Sequence, residues 1–156
     1  RDLVRSRGLG DVYKRQDEGY SLLKLLNPAE KCAQEAQAKR YLREPYALAG
    51  DVSTAKGIEG RGGWSLYTGA AGWYYRTVVE ELLGIRLRSG ALELEPRLPS
   101  GWHGYSATLT LDGAVIAITV SDTAPQGLTV DGEQAERFTP DGREHRLVYG
   151  IGASAS

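Results

Sequence analysis

Apolar and polar positions divide the chain into two regimes. From Asp17 to Gly84 the period is helical. Tyr20, Leu22, Leu23, Leu25 and Leu26 make an apolar stripe that stops at Asn27-Pro28, where proline cannot continue the hydrogen-bond ladder. Ala29 to Tyr41 favours a helix by propensity but has almost no apolar face. Glu44-Pro45 predicts a new helix start, with Tyr46, Ala47, Leu48, Ala49 and Val52 in a short, mostly buried helix. A glycine-rich loop, Ser53 to Gly63, comes next. Beyond it Ala71, Tyr74, Tyr75, Val78, Val79 and Leu82 fall at i, i+3, i+4, i+7, i+8 and i+11, and Arg76, Thr77, Glu80 and Glu81 fill the other side. Gly84 predicts the end of that helix, because glycine accepts a positive φ.

From Ile85 the period is two. Leu92 and Leu94 alternate with Glu93 and Glu95, and Ala107, Leu109 and Leu111 with Ser106, Thr108 and Thr110. Ile116, Ile118 and Val120 alternate with Ala117, Thr119 and Ser121. Asp112-Gly113 between the last two runs predicts a hairpin, and Asp131-Gly132 and Asp141-Gly142 predict further tight turns. Leu128, Val130, Leu147 and Tyr149 suggest two more strands, which together read as a sandwich. Pro96 to Tyr105 is the connector between the regimes, and its Trp102 either packs between helices and sheet or offers a sugar-stacking platform. Residues 151–156 read as a tail.

Composition narrows the function classes. The chain has 156 residues and 19 basic against 20 acidic ones, a balance that argues against a nucleic-acid or anionic-membrane footprint. No apolar run approaches the roughly 20 residues of a spanning helix. A single Cys, Cys32, excludes an intramolecular disulfide and a Cys-rich zinc site, and two His leave little for a His-based metal site. The chain lacks Met and starts at Arg1, as expected of an internal or C-terminal piece of a longer protein. Residues 1–16, RDLVRSRGLGDVYKRQ, are basic without amphipathic period and resemble a translated sequencing-adapter string. They are set aside as a scar, the alternative being a basic arm.

The stretch that carries chemistry is GRGGWSLYTGAAGWYYR, Gly60 to Arg76. A glycine-rich loop runs into a helix whose first N–H groups are unpaired and lie at the positive end of the macrodipole. Thr68 and Gly69 at that start make a candidate phosphate or carboxylate site, with Arg61 as a second positive contact. The plainer reading is that Thr68 only caps the helix. Trp64, Tyr67, Trp73 and Tyr74 either fill a large core or line a carbohydrate cleft. Asp51, Glu59, Glu80 and Glu81 are weaker candidates, since charged helix faces are usually just solvated. His103 and His145 have no partner at ligand spacing, and Cys32 has no nearby His or Asn.

These residues also resemble a family. LNP at Leu26–Pro28, REPYALAGDV at Arg43–Val52, the GRGGW…YTGAAGW string, ELLGIRL at Glu81–Leu87, LEPRLPSGW at Leu94–Trp102 and DGREHRL at Asp141–Leu147 are similar to the C-terminal part of glycoside hydrolase family 94. That family holds the inverting cellobiose, cellodextrin and chitobiose phosphorylases and the C-terminal region of cyclic β-1,2-glucan synthases, the branch the EPYALAGDV variant most resembles.

The resemblance implies an α+β fold: C-terminal helices of an (α/α)6 barrel over residues 17–84, then an antiparallel β-sandwich-like module over 85–150. It implies that Thr68 and Gly69 bind inorganic phosphate as co-substrate, with no cofactor or metal, and that Arg61, Trp64, Tyr67 and Trp73 line the cleft. The partners it implies are a β-linked glucan or disaccharide and phosphate, with a homodimer in the parent protein. It places the general-acid Asp upstream, so no catalytic residue is assigned here and the chain alone is expected to be inactive. A carbohydrate-binding or purely structural module is the competing reading. Phosphorolysis uses intracellular phosphate, so the expected location is the cytoplasm, membrane-attached in a glucan-synthase parent.

Overall fold

The computed structural model describes residues 9–66 and 69–152. Its order is four α-helices, a π-helical turn and six strands, an α+β arrangement. The chain forms two compact units that divide between Thr77 and Val78.

In the first unit α1 (Leu9–Leu26) takes in residues 9–16, which the sequence reading had set apart. It ends before Asn27, whose side chain caps α2 (Pro28–Lys31) by accepting from the Ala29 N–H at 3.1 Å. The single helix expected over Ala29–Tyr41 is broken: α2 stops at Cys32, and α3 (Glu35–Tyr41) restarts and is closed by Leu42 in the left-handed region, φ 51°. The α4 helix (Ala70–Arg76) has Gly69 as its N-cap, with no side-chain cap bond. The π-helical turn Thr77–Leu82 follows it in the chain.

The short buried helix expected after Glu44-Pro45 does not form. Residues 42–52 are turn and extended backbone, and Tyr46 is 84% exposed. The reason is competition for backbone groups. Buried Tyr41 sends its hydroxyl to the Ala47 carbonyl at 3.3 Å and takes the Ala49 N–H at 3.2 Å. Arg43 Nε donates to the Gly63 carbonyl at 2.5 Å, and the Gly50 N–H donates to the Trp64 carbonyl at 2.7 Å. Groups that would have built a helical ladder are thus spent on tying residues 41–52 to residues 60–64.

The second unit opens with a hairpin, β1 (Ile85–Arg88) and β2 (Ala91–Leu94). Arg86 is buried at its root. It donates to the Glu80 carbonyl at 2.9 Å, to Glu95 Oε2 at 2.5 Å and to Glu81 Oε2 at 2.7 Å, so its charge is fully partnered. The larger sheet holds β3 (Gly104–Leu111), β4 (Ala114–Val130), β5 (Glu133–Ala135) and β6 (Glu144–Gly150). The turns at Asp112-Gly113 and Asp131-Gly132 have positive φ at both residues, as their hairpins require.

The sheet is mixed, which corrects the antiparallel expectation. Residues 115–121 of β4 pair with 144–150 of β6 in the same direction, from Val115↔Glu144 to Ser121↔Gly150. After a register break, Leu128, Thr129 and Val130 pair with Tyr149, Val148 and Leu147, in the opposite direction. β6 therefore lies between two limbs of β4, with β3 beside one limb and β5 beside the other. The core combines Ile116, Ile118, Val120, Leu128 and Leu147 of this sheet with Ile85, Leu92, Leu94, Leu98 and Phe138. Trp102 is not enclosed: it remains 36% exposed in the connector.

Two outcomes are expected. Before Leu82, Tyr41 is the one buried large apolar side chain among the described residues, whereas the sheet unit holds the whole core cluster. Amides of α1 to α3 should therefore exchange with far lower protection than those of β3, β4 and β6. Gly84 has φ 69°, and a Cβ there would lie 2.1 Å from the Glu95 carbonyl. Gly84→Ala should lower stability by at least about 1–3 kcal/mol, the cost of strained backbone alone, read as a fall in Tm or denaturant midpoint.

Candidate functional site

Of the residues singled out in the sequence, Tyr67 and Thr68 lie outside the described residues. Gly69 is exposed at the start of α4, and its carbonyl accepts the Trp73 N–H at 3.0 Å. A Cβ at Gly69 would meet nothing nearer than Trp73 Cδ1 at 3.7 Å, so the backbone there is open. Gly69 is the N-cap of α4, and the capping reading of Thr68 lies outside the described residues.

The aromatics resolve differently from one another. Trp64 is 65% exposed, Trp73 73% and Tyr75 66%, so none of the three fills a core in this unit. Tyr75 departs from the buried stripe that its spacing predicts. Tyr74 is half-buried and donates its hydroxyl to the Leu23 carbonyl at 3.1 Å, which holds α4 against α1. Burial first, then the neighbouring Tyr20 and Glu30, push its phenol pKa up.

The loop behind Trp64 is set by Asp51. Its carboxylate accepts the Trp64 N–H at 3.3 Å, and a Cβ on Gly63 would collide with it. Glycine at 63 is thus a packing requirement. Asp51 has a structural partner rather than a free catalytic position. Glu59 likewise accepts the Gly57 N–H at 2.9 Å. Glu81 is held by Arg86 and by Arg97 at 2.8 Å, in the ion-pair network at the hairpin root.

Arg61 lines an open cavity of about 280 Å³ with Lys39, Arg40, Leu42, Gly57, Ile58 and Glu59. Cys32 is half-buried, with Sγ 3.7 Å from the Arg43 carbonyl.

The two histidines do have partners, which sequence spacing did not reveal. His103 Nδ1 lies 2.7 Å from Asp122 Oδ2. His145 has Asp131 Oδ2 at 2.7 Å from Nδ1 and Asp141 Oδ1 at 2.7 Å from Nε2. These pairs are created by strand register and turn placement, so no local motif announces them. Among the described residues no three His, Cys, Asp or Glu side chains are placed to share a metal ion, and no helix is long and apolar enough to cross a membrane.

Comparison with known proteins extends this picture. Residues 12–84 match the glycosyl hydrolase 94 superfamily catalytic domain, and residues 85–147 match the glycosyl hydrolase family 65 C-terminal domain. Over 114 residues, 73% of the chain, the sequence is 41% identical to the cyclic beta-(1,2)-glucan synthase NdvB of Rhizobium meliloti (strain 1021), covering 4% of that protein. It is 28% identical over 100 residues to an N,N'-diacetylchitobiose phosphorylase of Vibrio furnissii, covering 60% of the chain and 12% of that enzyme. It is 30% identical over 74 residues to a 1,2-beta-oligoglucan phosphorylase of Listeria innocua serovar 6a, covering 47% of the chain and 7% of that enzyme. The chain thus spans a small part of each of these relatives, and its residues 12–84 belong to the glycoside hydrolase family 94 superfamily.

Proposed function

We propose that this chain forms the phosphate-side portion of an inverting β-glucan or β-disaccharide phosphorylase. In this reading its helices complete an (α/α)6 barrel, and Thr68 and Gly69 hold inorganic phosphate at the start of α4. Phosphate attacks the anomeric carbon from one face while a general-acid Asp from elsewhere in the enzyme protonates the glycosidic oxygen on the other. The products are a sugar 1-phosphate and the shortened acceptor. Phosphate is already a nucleophile, so the carboxylate pair of an inverting hydrolase is not required.

The observation that carries this reading is where exposure falls. The Gly69 backbone is open, and Trp64, Trp73 and Tyr75 are exposed around the same loop and helix. A carbohydrate-binding sheet would instead show its aromatics on the strands. Here Phe138 is buried and Tyr105 and Tyr149 are partly buried against the core. Two phosphorylases and a glucan synthase among the relatives point the same way. The chain contains no residue assigned as general acid, so phosphorolysis by the isolated chain is not expected.

The test is an assay of the enzyme that carries this sequence, scored as phosphate-dependent release of sugar 1-phosphate from β-linked glucosides. Thr68→Ala should raise the phosphate KM about tenfold or more, the scale of one hydrogen bond to a charged group, and leave the glucoside KM in place. Trp64→Ala or Trp73→Ala should do the reverse, raising the glucoside KM up to about tenfold, as expected for one aromatic contact. Sugar release that ignores phosphate would overturn the proposal, as would a Thr68→Ala enzyme with an unchanged phosphate KM.

A further inference from the structure

The sheet unit contains a cluster that the proposed phosphorolysis does not use. His145 stands in β6, where Ile116 and Leu109 share its row in the sheet. Its side chain is only 12% exposed. One ring nitrogen meets Asp131, from the turn between β4 and β5. The other meets Asp141, from the segment between β5 and β6. The Phe138 ring lies over the imidazole at 4.7 Å between centroids, tilted by 55°.

A neutral imidazole has one N–H and one lone pair. Both contacts here are to carboxylate oxygens, which only accept. Two contacts of 2.7 Å to acceptors therefore require two N–H groups, and so the imidazolium. Loss of one proton turns one contact into a lone pair facing a carboxylate. Each carboxylate keeps a second partner in that event. Asp131 Oδ1 accepts the Arg146 N–H at 2.8 Å, and Asp141 accepts from the Arg143 N–H at 3.1 Å and from its guanidinium. The two turns persist, while the link between them does not.

We infer that His145 is a proton-operated clasp that joins the Asp131 turn to the Asp141 turn and thereby holds residues 136–143 on the sheet. The cargo of that segment is Phe138. It is buried, and its main chain exchanges two hydrogen bonds with Leu92 of β2, at 2.7 and 2.9 Å. Proton loss at His145 thus loosens the bridge between β2 and the larger sheet.

The charged groups facing the imidazole are Asp131 from the turn, Asp141 from the 136–143 segment and, through Asp141, Arg143. The β4 limb beside it presents Val115, Ile116 and Ala117, which do not titrate. Hydrogen bonds first to Asp141 and then to Asp131 hold the His145 pKa above its ordinary 6.5. The Arg146 backbone N–H and then His145 hold Asp131 below the usual carboxylate value, and Arg143 followed by His145 does the same for Asp141. A raised histidine pKa gives stability that is complete below the unfolded value of 6.5 and is lost as pH climbs through the folded value. Lowered Asp values give stability that is complete above 3.8 and is lost as pH falls through them. The clasp is whole between those limits and opens on the alkaline side.

The experiment uses the isotope-labelled chain. NMR follows the His145 ring from pH 5 to 9, and hydrogen exchange gives the protection factors of the Leu92 and Phe138 amides over the same range. The expected result is a His145 midpoint above about 6.5. Both amides should lose about tenfold in protection across that midpoint, as for one hydrogen bond to a charged group. His145→Gln should flatten the dependence, and Asp141→Asn should lower the midpoint. Should His145→Gln not fold, wild type and Asp141→Asn decide alone. A midpoint at or below 6.5, or protection of these amides with the same pH profile in wild type and His145→Gln, overturns the clasp.

Discussion

The sheet unit depends on β6 standing between the two limbs of β4. Leu147 pairs with Ile118 on one side and Val130 on the other, and it is fully enclosed. Remove β6 and both limbs become edges with unpaired N–H and C=O groups. The last strand in sequence is thus the central strand in space. The tight fit at its end explains Gly150, where a Cβ would fall 2.0 Å from the Pro125 carbonyl as β4 crosses to its second limb. The same placement brings His145 within reach of two turns that the sequence separates from each other.

The helical unit is organised by polar tethers instead. Tyr41, Arg43 and Asp51 connect the segment after α3 to the strand-like residues before α4. Such bonds fix a loop with little apolar burial, because they satisfy backbone groups that would otherwise demand water. They leave Leu22, Leu25, Leu26, Trp64 and Trp73 facing outward. For a binding surface this is an effective arrangement: the backbone is positioned while the large side chains remain available for contact.

Family membership and the local geometry bear on different parts of the question. The match to family 94 covers the helices and the loop with Gly69, and a family 65 type of C-terminal domain covers the strands. The geometry separates residues that the sequence had grouped. Gly69, Trp64 and Trp73 are open, Asp51 and Glu81 are engaged in holding structure, and Arg61 lines a cavity with Lys39, Arg40 and Glu59.

Local rules made much of the architecture legible. The stop at Asn27-Pro28, the positive φ at Gly84, the Asp-Gly hairpins and the alternation of β3 and β4 follow from the sterics of single residues and their neighbours. The GRGGW…YTGAAGW string singles out a candidate site for the same reason: glycines before a helix are a local signal. Tertiary structure decided the rest. Pro45 starts no helix, because the Tyr41 hydroxyl and the main chain of Gly62, Gly63 and Trp64 claim backbone groups of residues 41–52. Alternation could place Leu128, Val130 and Leu147 on strands but not choose the partner or direction of β6, since periodicity carries no information about register between distant segments. The partners of His103 and His145 follow from that register, so the sequence alone left both histidines looking solitary.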